Sequence, residues 1–399
     1  MISFDKAFDL VMQHPFSLGI EELDMLKSSG RVLAEDILAD RDFPPFNRAT
    51  KDGIAINYAT LEKNLASLKI ETVISAGMSQ QKLNDVENCV EIMTGAVVPE
   101  NADTVIMYEH LDIENNCAII NKDVSSGQNI HLKGSDVKSG AILLEKNTKI
   151  GAAEIGVLAS VGKAKVLVRK LPKVCVISTG NELVEVTETP LPHQIRKSNT
   201  LSLFAALCKE NIVAKRVHLK DEKDTITKEL THILKEFDVV MLSGGVSKGK
   251  FDFIPEVMES LGVDKVFHRV AQRPGKPFWF GIQKVLNTVV FSFPGNPVST
   301  FANYHIYFRP WLYSSLEITS TENLVKLSDV IEIKPPLTRF IQVKTTIHEG
   351  SIWATIVHEN GSGDLTSLTK SDGFICLKPQ DKSYEKGALV PFIATKIKL

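Results

Sequence analysis

The chain has 399 residues, 43% hydrophobic and 24% charged, with 46 Lys plus Arg against 48 Asp plus Glu and a net charge of −2. That length exceeds the ~250–300 residues at which a single core stops growing, so two to four domains are expected. The balanced charge argues against a nucleic-acid binder held by a broad basic surface, and no apolar run approaches the ~20 residues that span a bilayer.

The opening MISFDKAFDLVMQH has no basic stretch followed by an apolar run, so no signal peptide is read and a cytoplasmic location is expected. Phe4, Ala7, Phe8 and Val11 fall at helical spacing and predict an amphipathic helix. Two prolines and a glycine in RDFPPFNRATKDGIA (41–55) then mark a segment boundary. Over 56–150 short apolar bursts such as TVIMY (104–108), CAII (117–120) and AILL (141–144) alternate with Asn, Gly and Ser turns. That texture predicts a small β-rich unit. Helical texture returns at GAAEIGVLASVG (151–162), so the β unit reads as inserted.

From about residue 171 the pattern becomes α/β. VCVI (174–177), VVML (239–242) and VVFSF (289–293) each read as a buried strand running into a glycine-containing loop. Predicted helical faces are Leu201, Phe204, Ala205 and Cys208; Ile226, Leu230, Ile233, Leu234 and Phe237; Ile254, Val257, Met258 and Leu261, stopped by Gly262; and Phe301, Tyr304, His305 and Phe308. Strands alternating with such helices predict a parallel sheet covered on both faces. Past residue 325, Ile341, Val343, Thr345 and Ile347 alternate before a turn at Glu349 and Gly350, with SIWATIV as the partner strand.

Ligands of open α/β sheets bind where the strands end at their C-terminal edge. This places STGNE (178–182), SGGVSKGKFD (243–252) and FPGNP (293–297) on one rim. The second loop suits an oxyanion, because small residues let backbone N–H groups approach it. None matches GxGxxG or GxxxxGK[ST], which disfavours a nicotinamide dehydrogenase or a P-loop kinase. Arg269, Arg273 and Lys276 surround a Pro-Gly turn and suit phosphate or another oxyanion. Asp52, Glu182 and Asp252 stand beside glycine turns. Near phosphate such carboxylates are natural Mg²⁺ ligands; singly, each reads more simply as a turn-former or helix cap. The five cysteines are scattered without a CxxC pair, and the ten histidines include no HExxH, so disulfide and zinc frameworks are set aside. The residues alone lead to an α/β anion- or nucleotide-binding enzyme.

The motifs resemble, in order and from about residue 5 to the C-terminus, those of the molybdopterin molybdenumtransferases, the MoeA proteins related to the E domain of gephyrin. PPFNRATKDGIA (44–55) is similar to the family's PPFDxSAMDGYA, and IMTGAVVPENADTVIMYE (92–109) to IMTGAPVPxGADxVVxxE. GSDV (134–137), AEIGVLASVG (153–162), VISTGNELV (176–184), IRKSN (195–199), SGGVSKGKFDF (243–253), RPGKPFWFG (273–281), FPGNPVST (293–300) and GSGDLTSL (361–368) follow. The resemblance implies a helical linker region (1–50 and 137–170), an inserted β domain (51–136), a doubly wound α/β domain (171–320) and a C-terminal β domain (325–399). It implies a homodimer with the site between the α/β domain and the partner's β domain.

The implied reaction inserts molybdate into adenylated molybdopterin, with Mg²⁺-dependent release of AMP. The implied catalytic residues are Asp52, Thr94, Asp136, Glu182, Asp221 and Asp252, with Asp52, Glu182 and Asp252 on the metal. Ser243, Gly244, Gly245, Ser247, Arg269, Arg273, Lys276, Pro294, Pro297, Arg339 and Ser367 are the implied substrate contacts. The adenylating enzyme of the pathway and recipient molybdoenzymes are implied partners, with no nucleic acid and no membrane. The chain departs from the family pattern at Ala49, Lys51, Ile54, Lys197, Lys248 and Lys250. Several of these add positive charge, which leaves a changed metal requirement or weakened activity open. A related nucleotide-cleaving enzyme and a non-catalytic scaffold are the alternatives.

Overall fold

Three apolar runs, Val174–Thr179, Val239–Ser243 and Thr288–Phe293, form the centre of a six-stranded sheet. The computed structural model describes residues 1–63, 67–246, 253–319, 321–333 and 337–396. Alternate residues of these strands enter two cores. Val174, Val176, Val239, Met241, Val289 and Phe291 face one side, where the Asn199–Cys208 and Pro297–Asn303 helices pack. Cys175, Ile177, Val240, Leu242 and Val290 face the other, under Lys223–Glu236 and Ile254–Ser260. Both faces are dry, which is why the strands read as unbroken apolar runs.

Two details differ from expectation. Lys215–Leu219 and the three central strands are parallel, but Trp279–Gln283 and Asp264–His268 complete the sheet antiparallel. Only residues 284–287 separate Trp279–Gln283 from Thr288–Phe293, too few for a crossover, so a hairpin results. The Asn199–Cys208 helix buries Thr200, Leu203 and Leu207, while Ala205 and Cys208 face outward. That helix is apolar nearly all round, so two stripes share the helical period and spacing could not choose between them. The other three predicted faces lie largely inward. Gly262, with φ of +73°, takes the left-handed conformation that ends its helix.

The β domain is a six-stranded sheet ordered Thr104–Met107, Gly53–Ile56, Cys89–Ile92, Leu68–Ile74, Cys117–Ile120, Leu111–Glu114. Of the expected bursts, Ile142–Leu144 lies outside this sheet and pairs instead with Ile37–Leu38. Another ribbon, Ile20–Asp24 with Lys165–Arg169, and the Ala152–Ser160 helix complete a small core around Leu33, Leu158 and Val168. The first helix, Phe4–Met12, buries Ala7 and Val11 in the α/β core, with the Phe4 ring 5.0 Å from Phe340.

The C-terminal β domain closes because Thr338–His348 pairs with both Ser351–Ile356 and Gly373–Leu377. Its Val343 and Thr345 are buried, whereas Ile347 is 80% exposed, because the hairpin runs past the core before turning at Glu349 and Gly350.

Candidate active site

The parallel strands end together at Thr179, Ser243 and Phe293, and the loops beyond them wall a cleft of about 390 Å³. Glu182, Lys197, Asp221, Gly244, Pro294 and Pro297 are among its lining residues. Asn199 holds two loops in register, since its Nδ2 donates to Ser243 Oγ at 2.9 Å and to the Gly295 carbonyl at 2.6 Å. Ser243 Oγ also lies 3.2 Å from Thr300 Oγ1, which donates to the Pro294 carbonyl at 2.5 Å. The C-terminal domain adds a brace: Asn296 Nδ2 donates to Ser362 Oγ at 2.7 Å. A rim fixed at this many points keeps its shape without reorganisation, and its Gly244 N–H donates to the Phe293 carbonyl at 3.1 Å.

Glu182 and Asp221 bring two carboxylates to the cleft. The Glu182 carboxylate folds back over residue 180, whose φ of +133° lies in the region that favours glycine. Asn181 Oδ1 accepts from the Asp221 backbone N–H at 3.3 Å and so couples the two loops. Lys197, one of the departures toward positive charge, is neutralised by Glu185 at 2.6 Å and is only 12% exposed in its side chain. Lys197 also holds the Glu185 carboxyl below the ordinary Glu range. This pair removes much of the repulsion that Lys197 would exert on a cation.

Arg269, Arg273 and Lys276 are not among the residues lining the cleft. Arg273 belongs to the strand Val270–Arg273, which leaves the α/β domain to join the C-terminal sheet, in register with Arg339. Burial first, and then the neighbouring Arg273, lowers the Arg339 pKa, so an anion between the two would relieve the repulsion. The intervening loop is anchored from below. Gln272 donates to the Pro274 carbonyl and to Asn303 Oδ1, each at 2.9 Å, and accepts from the Tyr307 hydroxyl. Lys276 is exposed on that loop. Arg269 has a φ of +73°, and its Nε is buried with no hydrogen-bond partner. Ser367 is 1% exposed, and its hydroxyl donates to the Asp364 carbonyl and accepts from Gln342, which makes it a support of the 361–367 loop.

Asp52, Thr94 and Asp136 gather on the β domain and are not among the residues lining the cleft. Asp52 Oδ1 accepts from Thr94 N at 2.6 Å and Thr94 Oγ1 at 2.7 Å. The backbone bond first, then the hydroxyl, holds the Asp52 carboxyl below the usual Asp range. Thr94→Val removes the smaller contribution, so a ¹³C titration of the Asp52 carboxyl should show a partial rise toward the ordinary value; an unchanged titration would exclude the hydroxyl's part. Asp136 pairs with His131. Ser247, Lys248, Lys250 and Asp252 lie outside the described residues. Asn199, although inside the quoted IRKSN motif, had no role assigned from sequence. A tether between two loops leaves no periodic signal.

Among the described residues no three His, Cys, Asp or Glu side chains converge into a metal cluster. Two cleft carboxylates nevertheless suit Mg²⁺, which is usually held by one or two carboxylates together with substrate phosphate.

Family models match the chain end to end: "MoeA N-terminal region (domain I and II)" over 2–162, "Probable molybdopterin binding domain" over 175–314 and "MoeA C-terminal region (domain IV)" over 325–395. A molybdopterin molybdenumtransferase of Synechocystis sp. is 37% identical over 398 residues, covering 99% of this chain and 100% of the relative. The chain belongs to the molybdopterin molybdenumtransferase (MoeA) family. A second member, from Staphylococcus epidermidis, is 30% identical over 99% of this chain and 96% of its own length. Two crystal structures of the Pyrococcus horikoshii MoeA protein align with TM-scores of 0.83 and 0.81, at 30% and 26% identity. They cover 100% and 99% of this chain and 100% of each of theirs. The fold class inferred from the motifs agrees with these three regions: N-terminal, α/β and C-terminal β.

Proposed function

We propose that the chain acts in molybdenum cofactor biosynthesis, inserting molybdate into adenylated molybdopterin with Mg²⁺-dependent release of AMP. The observation that carries this reading is the cleft at the strand ends, where Glu182 and Asp221 meet loops suited to oxyanions. Rim N–H groups and the Arg273–Arg339 pair bind and orient the negative link between pterin phosphate and AMP. Hydrolysis breaks one P–O bond of that link: water supplies the new oxygen, AMP departs, and Glu182 is placed to take the water proton. Glu182 and Asp221 would be the residues to hold Mg²⁺, which would neutralise charge on the phosphates. Molybdenum goes to the soft dithiolene sulfurs of the pterin, so no protein thiol is needed. Three of the five cysteines agree: Cys89, Cys175 and Cys376 are buried, and burial pushes each thiol up to about 12, while Cys117 is half-buried and Cys208 exposed.

In this reading the site is completed by a second copy. The β-domain edge bearing Asp52, Thr94 and Asp136 does not line the cleft of the same chain, and we place that edge over the partner's cleft. Light scattering at micromolar concentration should give twice the 44.1 kDa chain mass; a single species at the chain mass would refute the dimer. Pure protein incubated with adenylated molybdopterin, molybdate and Mg²⁺ should release AMP in step with molybdenum insertion. AMP release without insertion would point to a nucleotide-cleaving relative. Neither product would point to a scaffold.

A further inference from the structure

Arg48, His131 and Asp136 form a hydrogen-bonded row at the edge of the β domain. Arg48 and His131 stand opposite each other in a short antiparallel pair. Arg48 Nη2 lies 3.1 Å from His131 Nδ1, and His131 Nε2 lies 2.7 Å from Asp136 Oδ1. A guanidinium only donates, so Nδ1 must be the acceptor and carries no proton. The ring proton therefore sits on Nε2, aimed at the carboxylate. Asp136 is fixed from behind, because its backbone N–H donates to the Phe43 carbonyl at 3.0 Å.

The row adjoins the other β-domain carboxylate. Thr50 N donates to the Asn129 carbonyl at 2.9 Å, and Gly95 N donates to the Ala49 carbonyl at 2.8 Å. Segment 48–52 thus lies between the turn that carries Thr94 and the strand that carries His131. It links the turn that holds Asp52 to the ribbon that carries His131.

We infer that His131 is a positioning residue for Asp136, orienting the carboxylate through Nε2–H while Arg48 fixes the tautomer. This rests on the reading of Asp136 as part of the site. The charged groups facing the ring are Arg48 from the paired strand and Asp136 from the turn that follows. A second ring proton would set Nδ1–H against the guanidinium, donor against donor, so the complete row exists only with a neutral ring.

Nitrogen-15 NMR of the imidazole in the full chain tests the geometry without reference to activity. The expected result at pH 8 is a protonated Nε2 and an unprotonated Nδ1, with Nδ1 shifting in Arg48→Ala. A proton on Nδ1 would overturn the inference. In the AMP-release assay, His131→Ala should lower kcat about tenfold or more with little change in KM. His131→Gln, which keeps an N–H donor, should restore most of kcat. Parental kcat in His131→Ala would overturn the positioning role. Parental turnover in Asp136→Asn would leave no carboxylate to position and would overturn it equally. Should the parent release no AMP, the proposed function fails, and the ring-nitrogen measurement still decides the tautomer.

Discussion

Asp52→Asn is expected to lower molybdenum insertion by about 10²-fold or more while leaving the fold and the dimer intact. Asparagine keeps an Oδ1 acceptor for Thr94, so the turn survives and the charge alone is removed. The sign with pH follows from the lowered carboxyl pKa. The ionised state favoured by the folded protein is fully present above the ordinary Asp range. It is lost only as pH falls through the lowered folded value. Activity should therefore persist at acidities where an ordinary Asp is already protonating, and Asp52→Asn should show no such limb. Glu182→Gln should produce a comparable loss through the opposite wall of the proposed site. AMP release and bound molybdenum, measured beside circular dichroism, check both variants. Parental turnover in either would remove that residue from the reaction, and loss of folding would return it to a turn-forming role.

Gly53→Ala should destabilise the β domain by about 3 kcal/mol or more. A Cβ at this position would lie 1.8 Å from the Ile106 carbonyl oxygen and 2.8 Å from Met107 Cα. Both are backbone atoms of the neighbouring strand, where Gly53 pairs with Met107, so no side chain can turn away to make room. The KDG turn thus needs its glycine for strand approach, one residue after the carboxylate it presents. Gly156→Ala is the matched control. Nothing lies within 4 Å of a Cβ there, and the residue sits inside the Ala152–Ser160 helix. Filling that position should stabilise by about 0.5–1 kcal/mol. Urea unfolding of the three proteins gives the comparison, and a Gly53→Ala midpoint equal to that of the parent would contradict the packing argument.

The core strands were legible because burial on both faces leaves runs such as Val239–Ser243 with no polar alternation to misread. The Lys223–Glu236 helix was legible because its Ile226, Leu230 and Ile233 stripe contrasts with charged residues around it. Asn199–Cys208 offered no such contrast, and its face was misassigned. At the site, Glu182 and Asp221 were found through glycine loops and family motifs and do share a cleft. The separation of Asp52, Thr94 and Asp136 from that cleft is a fact of tertiary arrangement that spacing does not encode. The Asn199 tether and the His131 row were missed for a related reason. Each is a polar contact between segments distant in the chain or across a ribbon, and neither needs a repeating pattern.

The pairing of Ile2–Ser3 with Val270–Arg273, and of Phe4 with Phe340, has a consequence for how the protein is made. The first strand emerges from the ribosome long before its neighbour exists, and the aromatic face of the helix behind it emerges with it. Until the last third of the chain is synthesised, Phe4 and Phe8 have no finished core to enter and remain available to chaperones or to nascent chains nearby. The arginine-bearing strand starts their capture, and Tyr307 and Phe340, made later still, complete it. Assembly of the edge that carries Arg273 and Arg339 and completion of the fold are thus one late event, and a chain stalled before that strand would lack both.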